Sequence, residues 1–196
     1  MNASPQPSTT APSSGAASSP DHTPAVTATL TTEDGPFTVI ASDGHVLASG
    51  WTNDVWALRE LIHARLRPAE VDLVDDDDER ITHALNAVRA YYAGDLDAPA
   101  AVPVRQDSAE FRAHAWDVLR QVGPGAPVTY AEYAERAGRP AAVRAAAGAC
   151  ASNAAALFVP CHRVVRTGGG MGGFRYGTEI KERLLAREAG RLPLSR

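Results

Sequence analysis

Cysteine is scarce in this chain, with two residues, Cys150 and Cys161, among 196. Two thiols cannot build a disulfide scaffold or a four-thiolate zinc site. Long apolar runs are also missing. None approaches the roughly 20 residues a membrane helix needs, so no membrane-crossing helix is expected. Met1 to Pro24 has neither the basic start nor the apolar stretch of a secretory signal, and the expected compartment is the cytoplasm. What is present is ordinary for a globular protein, with 44% hydrophobic and 21% charged residues. The length suits one domain and a small partner, not three separate cores.

The formal net charge of -4 conceals an asymmetry. Residues 1–100 hold 5 arginines against 15 acidic residues, a net of -10. Residues 101–196 hold 13 arginines and a single lysine against 8 acids, a net of +6. A basic second half fits either a solvated arginine-rich surface or a face that meets a polyanion through phosphate contacts.

Residues 1–24 are mostly Ser, Ala, Pro and Thr. Such a tract cannot bury enough surface to offset its chain entropy, so a disordered tail is expected there. An N-terminal α+β unit over 25–100 follows, with order expected from about Phe37. Phe37–Ser42 and Val46–Trp51 flank Asp43-Gly44, a strong hairpin signal. Asp54 is placed to cap a helix carrying Val55, Leu58, Leu61 and Ile62 at helical spacing. Asp75 to Glu79 reads as a solvated loop without metal-ligand spacing. A second helix shows Ile81, Leu85, Val88 and Tyr92 on one face. Ala98 to Val104, with two prolines and no period, reads as a linker.

A mostly helical unit then spans 105–190. Asp107 or Ser108 is expected to cap a helix whose stripe is Phe111, Ala115, Val118, Leu119 and Val122, stopped by Gly123-Pro124-Gly125. Thr129 and Glu132 have capping-box spacing for a short helix through Ala137, ended by Gly138. Pro140 suits the first turn of the next helix, running to about Ser152. Two short helices joined by Gly-Arg-Pro have the form of a helix-turn-helix. Between Ala141 and Ala151 the second of them has seven alanines, one glycine and Arg144. Side chains this small suit a closely packed core helix, the commoner case, or a helix that must approach a groove of DNA closely.

The chemistry concentrates in Phe158-Val159-Pro160-Cys161-His162-Arg163-Val164-Val165. A thiol becomes a nucleophile as its thiolate. A histidine within hydrogen-bond reach, directly or through water, can take the proton, and a carboxylate on the far ring nitrogen would fix the tautomer. Side chains adjacent in sequence often diverge, so the pair alone fits a buried structural cysteine better than a nucleophile.

Pro160-Cys161-His162-Arg163-Val164 resembles the active-site signature of the O6-alkylguanine-DNA alkyltransferases. The likeness extends along the chain. Asn153 stands eight positions before the cysteine, like the family's hinge asparagine, and Arg144 nine positions before that, like its intercalating arginine. Val128-Thr129-Tyr130 resembles the segment with the pocket tyrosine. Gly173-Phe174-Arg175-Tyr176-Gly177 and Lys181 through Glu188 follow the C-terminal pattern, whose catalytic glutamate falls at Glu188. The resemblance covers about residues 105–190.

It implies a fold and a reaction. The fold is α+β, with a small RNase H-like N-terminal layer and a mostly helical C-terminal domain containing a winged helix-turn-helix. The reaction moves an alkyl group from O6 of guanine, or O4 of thymine, in duplex DNA to Cys161. His162 acts as base through a water, Glu188 orients it, and Tyr130 donates toward the departing base. The carbonyls of Cys161 and Val164 accept from the guanine amino group. Asn153 holds the active-site turn, and Arg144 fills the gap left by the everted base. Ala151, Val164, Gly172, Phe174 and Arg163 belong to the DNA- or base-binding set, Arg163 by bridging the domains or the Asn153 turn. The thioether product has no easy hydrolysis route, so the implied protein is spent after one event. No cofactor or metal is implied, the partner is double-stranded DNA carrying O6-alkylguanine, and a monomer is expected. Two alternatives remain at this level: a base-flipping module without transfer, and a cysteine hydrolase using Cys161 and His162. The chain departs from the family at Phe174, often tyrosine, and at Cys150, where a larger apolar residue is usual. A cysteine at 150 either widens the pocket or simply packs.

Overall fold

The computed structural model describes residues 24–191. The expected tail lies, apart from Pro24, outside the described residues. Order begins well before Phe37, because Ala25–Thr32 forms strand β1. Its Ala-Thr alternation gave little hydrophobic signal, yet Val26 and Ala28 are buried. Its threonines are satisfied inside the sheet, where Thr27 Oγ1 donates to Val39 O at 2.9 Å and Thr29 pairs with Thr38 at 2.7 Å. Strands β2 (Gly35–Ser42) and β3 (His45–Gly50) continue an antiparallel meander. The Asp43-Gly44 turn joining them has φ of 50° and 71°, the doubly left-handed turn whose twist matches a hairpin. A short strand that the sequence did not reveal, β4 (Val71–Leu73), runs parallel to β1 and completes the order β3-β2-β1-β4.

Helix α1 (Val55–Glu60) starts where Asp54 Oδ1 accepts from Ala57 N at 2.9 Å, and it ends before Leu61 and Ile62. Leu58 and Ile62 pack on Ile40, Leu47 and Ala48. The opposite face of the sheet, through Phe37, Val39 and Ala41, packs on helix α2 (Thr82–Tyr92) with its Ile81, Leu85, Val88 and Tyr92 stripe. Alternation along β2 therefore sends one face to each helix. The Asp75–Glu79 run is a loop between β4 and α2. The stretch expected to be a linker is fastened down. Ala98–Ala101 is a 3-10 turn, Val46 N donates to Pro103 O, and Arg105 N donates to Val46 O, both at 2.9 Å. Residues 154–156 bond to Ser49 along the same strand. This covers a strand edge that would otherwise offer unpaired groups.

Helix α3 (Glu110–Arg120) is capped by Ala109 rather than Asp107 or Ser108. Asp107 instead faces His63 and Arg65, and the Ser108 hydroxyl accepts from Arg112. Strand β5 (Val128–Thr129) leads into helix α4 (Tyr130–Arg136), whose capping box between Thr129 and Glu132 is complete. Helix α5 spans Val143–Ala151. Pro140 lies in the turn before it, because Ala142 N donates to Arg139 O and holds 139–142 in a tight turn. Strand β6 (Val164–Val165) pairs parallel to β5, and helix α6 (Thr178–Glu188) closes the described chain. One apolar cluster runs from the sheet through α2, α3, α4 and α5 to Leu184 of α6. Trp116 Nε1 donates to Ala149 O at 2.9 Å and Tyr133 OH to Ala115 O at 2.7 Å, locking α3, α4 and α5 together. The alanines of α5 serve different faces. Ala146 and Ala149 are buried in the core, while Arg144 and Ala145 are exposed. The whole is a mixed α+β architecture.

Candidate active site

Between α5 and the loop before α6 lies a cavity of about 340 Å³. Helix α5 contributes Ala147 and, one turn on, the adjacent Cys150 and Ala151, all three small side chains. Tyr130, Phe174 and Tyr176 form the aromatic wall, and Cys161, Asn153 and Arg175 also line it. Gly172 packs beside Tyr130 with φ of +69°, where a Cβ would come within 3.1 Å of the phenol oxygen. Arg175, exposed at the rim, donates to Ala151 O at 2.5 Å.

Cys161 opens a 3-10 turn, Cys161–Arg163, held by Asn153. Asn153 Nδ2 donates to Val159 O at 2.8 Å and to Cys161 Sγ at 3.3 Å. Its Oδ1 accepts from Ala155 N and from Gln106, each at 3.1 Å, which fixes the amide's orientation. Burial pushes the Cys161 thiol up, opposed by the Asn153 bond and by the charges of Lys181 and Arg175. At neutral pH the sulfur therefore keeps its proton, and attack by it requires a base.

His162 follows directly and is fully buried. Its Nε2 lies 2.8 Å from Glu188 Oε1. Glu188 also receives Arg163 Nε at 3.0–3.1 Å, Arg163 Nη2 at 2.9 Å and Tyr91 OH at 3.1 Å. Burial alone would push this carboxyl up, but His162 and Arg163 outweigh it and hold it at about 2. The carboxylate can only accept, so His162 Nε2 carries the proton. Burial lowers the imidazole's own pKa against the pull of Glu188. The ring is thus neutral, and Nδ1, buried without a protein partner, holds a free lone pair. The resting inventory is a thiol, a neutral imidazole and a carboxylate. Tyr130 keeps its phenolic proton, because burial raises its pKa.

The other expected residues fall as follows. Arg144 stands exposed in the first turn of α5 and does not line the cavity. Arg163, expected at the DNA side or bridging the domains or the Asn153 turn, is buried instead. It joins Glu188 of α6 to Val122 O, at 2.6 Å, beyond α3. The Cys161 carbonyl accepts from Val164 N, and that of Val164 accepts Lys181 Nζ at 2.6 Å. Each therefore has only its second lone pair left for any further donor. Lys181, the only lysine in the chain, also bonds Met171 O. It ties β6, the glycine-rich loop and α6 together, a role its place in the C-terminal pattern did not disclose. Tyr91 and Gln106 were missed too, and no local signal marks them. Among the described residues no cluster of His, Cys, Asp or Glu could hold a metal ion.

The family model for the DNA binding domain of 6-O-methylguanine DNA methyltransferase matches residues 110–190. A methylated-DNA–protein-cysteine methyltransferase from Methanosarcina acetivorans is 35% identical over 113 residues, covering 58% of this chain and 72% of the relative. The chain belongs to this methyltransferase family. The bifunctional transcriptional activator/DNA repair enzyme Ada of Escherichia coli is 43% identical over 93 residues, covering 47% of this chain. That match spans 26% of Ada, and the match to the Shigella flexneri methyltransferase spans 59% of it, so several family members are matched over only part of their length. Among solved structures, a variant of the Mycobacterium tuberculosis O6-methylguanine methyltransferase superposes with a TM-score of 0.69 at 25% identity. The superposition covers 87% of this chain and 96% of that one. The family match begins at residue 110, so the N-terminal sheet rests on the structural likeness alone.

Proposed function

We propose that this protein repairs DNA by direct reversal, taking the alkyl group from O6-alkylguanine, and from O4-alkylthymine, in a duplex onto Cys161. The observation that carries the proposal is the proton inventory of the site. A protonated thiol on the cavity wall is followed in the chain by a neutral imidazole, whose tautomer a buried carboxylate determines. The Cys161 proton passes to His162 Nδ1 through a water, and Glu188 stabilises the imidazolium that forms. Sγ then attacks the alkyl carbon in line. The carbon–sulfur bond forms as the carbon–O6 bond breaks, and Tyr130 gives its proton to the departing base. A thioether has no ready exit, so the protein is consumed in one turnover, without a cofactor.

The target atom sits inside a stacked helix, and eversion costs a few kcal/mol. Helices α4 and α5 act as a helix-turn-helix with the loop before α6 as its wing. Helix α5 enters the minor groove, where the bare Ala145 surface permits close approach and Arg144 occupies the vacated stack. Ala151, Gly172, Phe174 and the Val164 carbonyl face the everted base. The Mycobacterium tuberculosis O6-methylguanine methyltransferase, related in fold, has been solved in complex with DNA. On this proposal the chain divides into an RNase H-like layer over 25–100 and a catalytic unit over 105–190, and acts as a monomer in the cytoplasm. No helix of the described residues is long and apolar enough to cross a membrane.

The test is incubation with a duplex carrying O6-[methyl-labelled] guanine. Label should reach the protein at no more than one group per chain, and Cys161→Ser should abolish it. Continued release of a labelled small product would make the protein a hydrolase, and tight binding without transfer would make it a sensor.

A further inference from the structure

The β1–β2 turn, far from the cavity in sequence, reaches the helix that carries Glu188. Asp34 is 5% exposed and its carboxylate is fully enclosed. It accepts from Tyr92 OH at 2.9 Å and Arg183 Nε at 2.5 Å, with Arg187 Nη2 3.8 Å away. Its neighbour Glu33 accepts from Arg187 Nη2 at 2.6 Å. Arg187 itself is 2% exposed and lies 4.8 Å over the Tyr92 ring. Its Nε and Nη1 have no partner, so the hairpin acids are what compensate this cation.

Two consecutive tyrosines at the end of α2 thus meet two consecutive residues at the end of α6. Tyr91 donates to Glu188, and Tyr92 lies under Arg187 and donates to Asp34. Tyr92 also accepts from Trp51 Nε1 at 2.9 Å, and the Trp51 ring lies 5.9 and 5.7 Å from those of Phe174 and Tyr176 on the cavity wall. Buried ion pairs are poor devices for stability alone, since apolar replacements of similar volume often match or exceed them. This one sits on the residue before Glu188.

We propose that the Glu33-Asp34 turn is a positioning device: it holds Arg187, and through it the last turn of α6, so that Glu188 meets His162. Asp34 acts through Arg187 and touches no reacting atom. The inference rests on the reading of Cys161, His162 and Glu188 as the reactive set.

The experiment compares wild type with Asp34→Asn, which keeps an acceptor for Tyr92 but removes the charge. Two quantities are read: the second-order rate of methyl transfer per active molecule across pH, and the downfield proton resonance of His162 Nε2–H. Transfer should slow about tenfold. The acid limb of the rate should move to lower pH, because an imidazole less firmly held by Glu188 protonates less readily, and the downfield resonance should weaken. In a Glu188→Gln background, Asp34→Asn should add no further loss. Glu33→Gln, at a half-exposed site that folding tolerates better, should shift all three readouts the same way by a smaller amount. An unchanged acid limb and resonance in both variants, with only the melting temperature lowered, would reduce the turn to a structural contact and overturn the proposal. The resonance needs no substrate, so it decides the question even if wild type fails to transfer methyl groups, an outcome that counts against the repair reading instead.

Discussion

Replacing Glu188 by glutamine should destabilise the protein in a way that depends on pH. The carboxylate is enclosed and serves three partners, His162, Arg163 and Tyr91. A carboxyl held at about 2 rather than the ordinary 4.5 corresponds to about 3 kcal/mol of folding stability. Orphaning one member of a buried ion pair, here Arg163, costs 3–5 kcal/mol by a separate argument. The glutamine oxygen still accepts from Arg163, so about 3 kcal/mol is the better expectation. In a protein of this size each kcal/mol lowers Tm by ~2–4 °C, which puts the fall at ~6–12 °C at pH 7. The folded-state pKa lies below the unfolded one, so this stability is complete above about pH 4.5 and is lost as the pH falls toward 2. Calorimetric melting of both proteins from pH 7 downward should show a gap that is constant to about pH 4.5 and closes below it. Equal melting temperatures at pH 7, or a gap indifferent to acid, would refute the charge assignment at Glu188.

The neutral imidazole gives a kinetic counterpart. Because burial lowers the pKa of His162, methyl transfer should stay level below the ordinary imidazole value of about 6.5; a rate already halved at pH 7 would contradict it. Gly172→Ala forces a Cβ to 3.1 Å from the Tyr130 phenol at a left-handed φ; about 1–3 kcal/mol of strain should appear in denaturant unfolding, with slower transfer from the displaced tyrosine. Arg144→Ala should slow repair in duplex DNA on the order of tenfold, about 1.4 kcal/mol, while sparing reaction with free O6-benzylguanine. Equal loss on both substrates would remove the finger role.

How much of this was legible in the sequence depended on how local each signal is. The Asp43-Gly44 turn and the Thr129–Glu132 capping box are written in adjacent residues, and both stand in the structure as read. Strand β1 was not, because alanine and threonine carry little hydrophobic contrast and its identity comes from pairing with β2. Strand β4 is three residues long and exists through its parallel partner. In the site, Cys161, Asn153 and Tyr130 converge on one cavity, and Glu188 arrives at His162 from 26 residues away. Tyr91, 97 residues from Glu188, and Asp34, 149 residues from Arg183, could not be foreseen from any spacing. Arg163 was expected to bridge the domains or the Asn153 turn, and the anion it meets, the enclosed carboxylate of Glu188, lies 25 residues on, where no spacing announced it.

Two free thiols share the cavity, and this makes one measurement sharper than the rest. After reaction with an O6-methylguanine duplex, peptide mapping by mass spectrometry should place a single methyl group on Cys161 and leave Cys150 unmodified. A methyl group on Cys150, or on neither sulfur despite loss of the lesion from the DNA, would contradict the account.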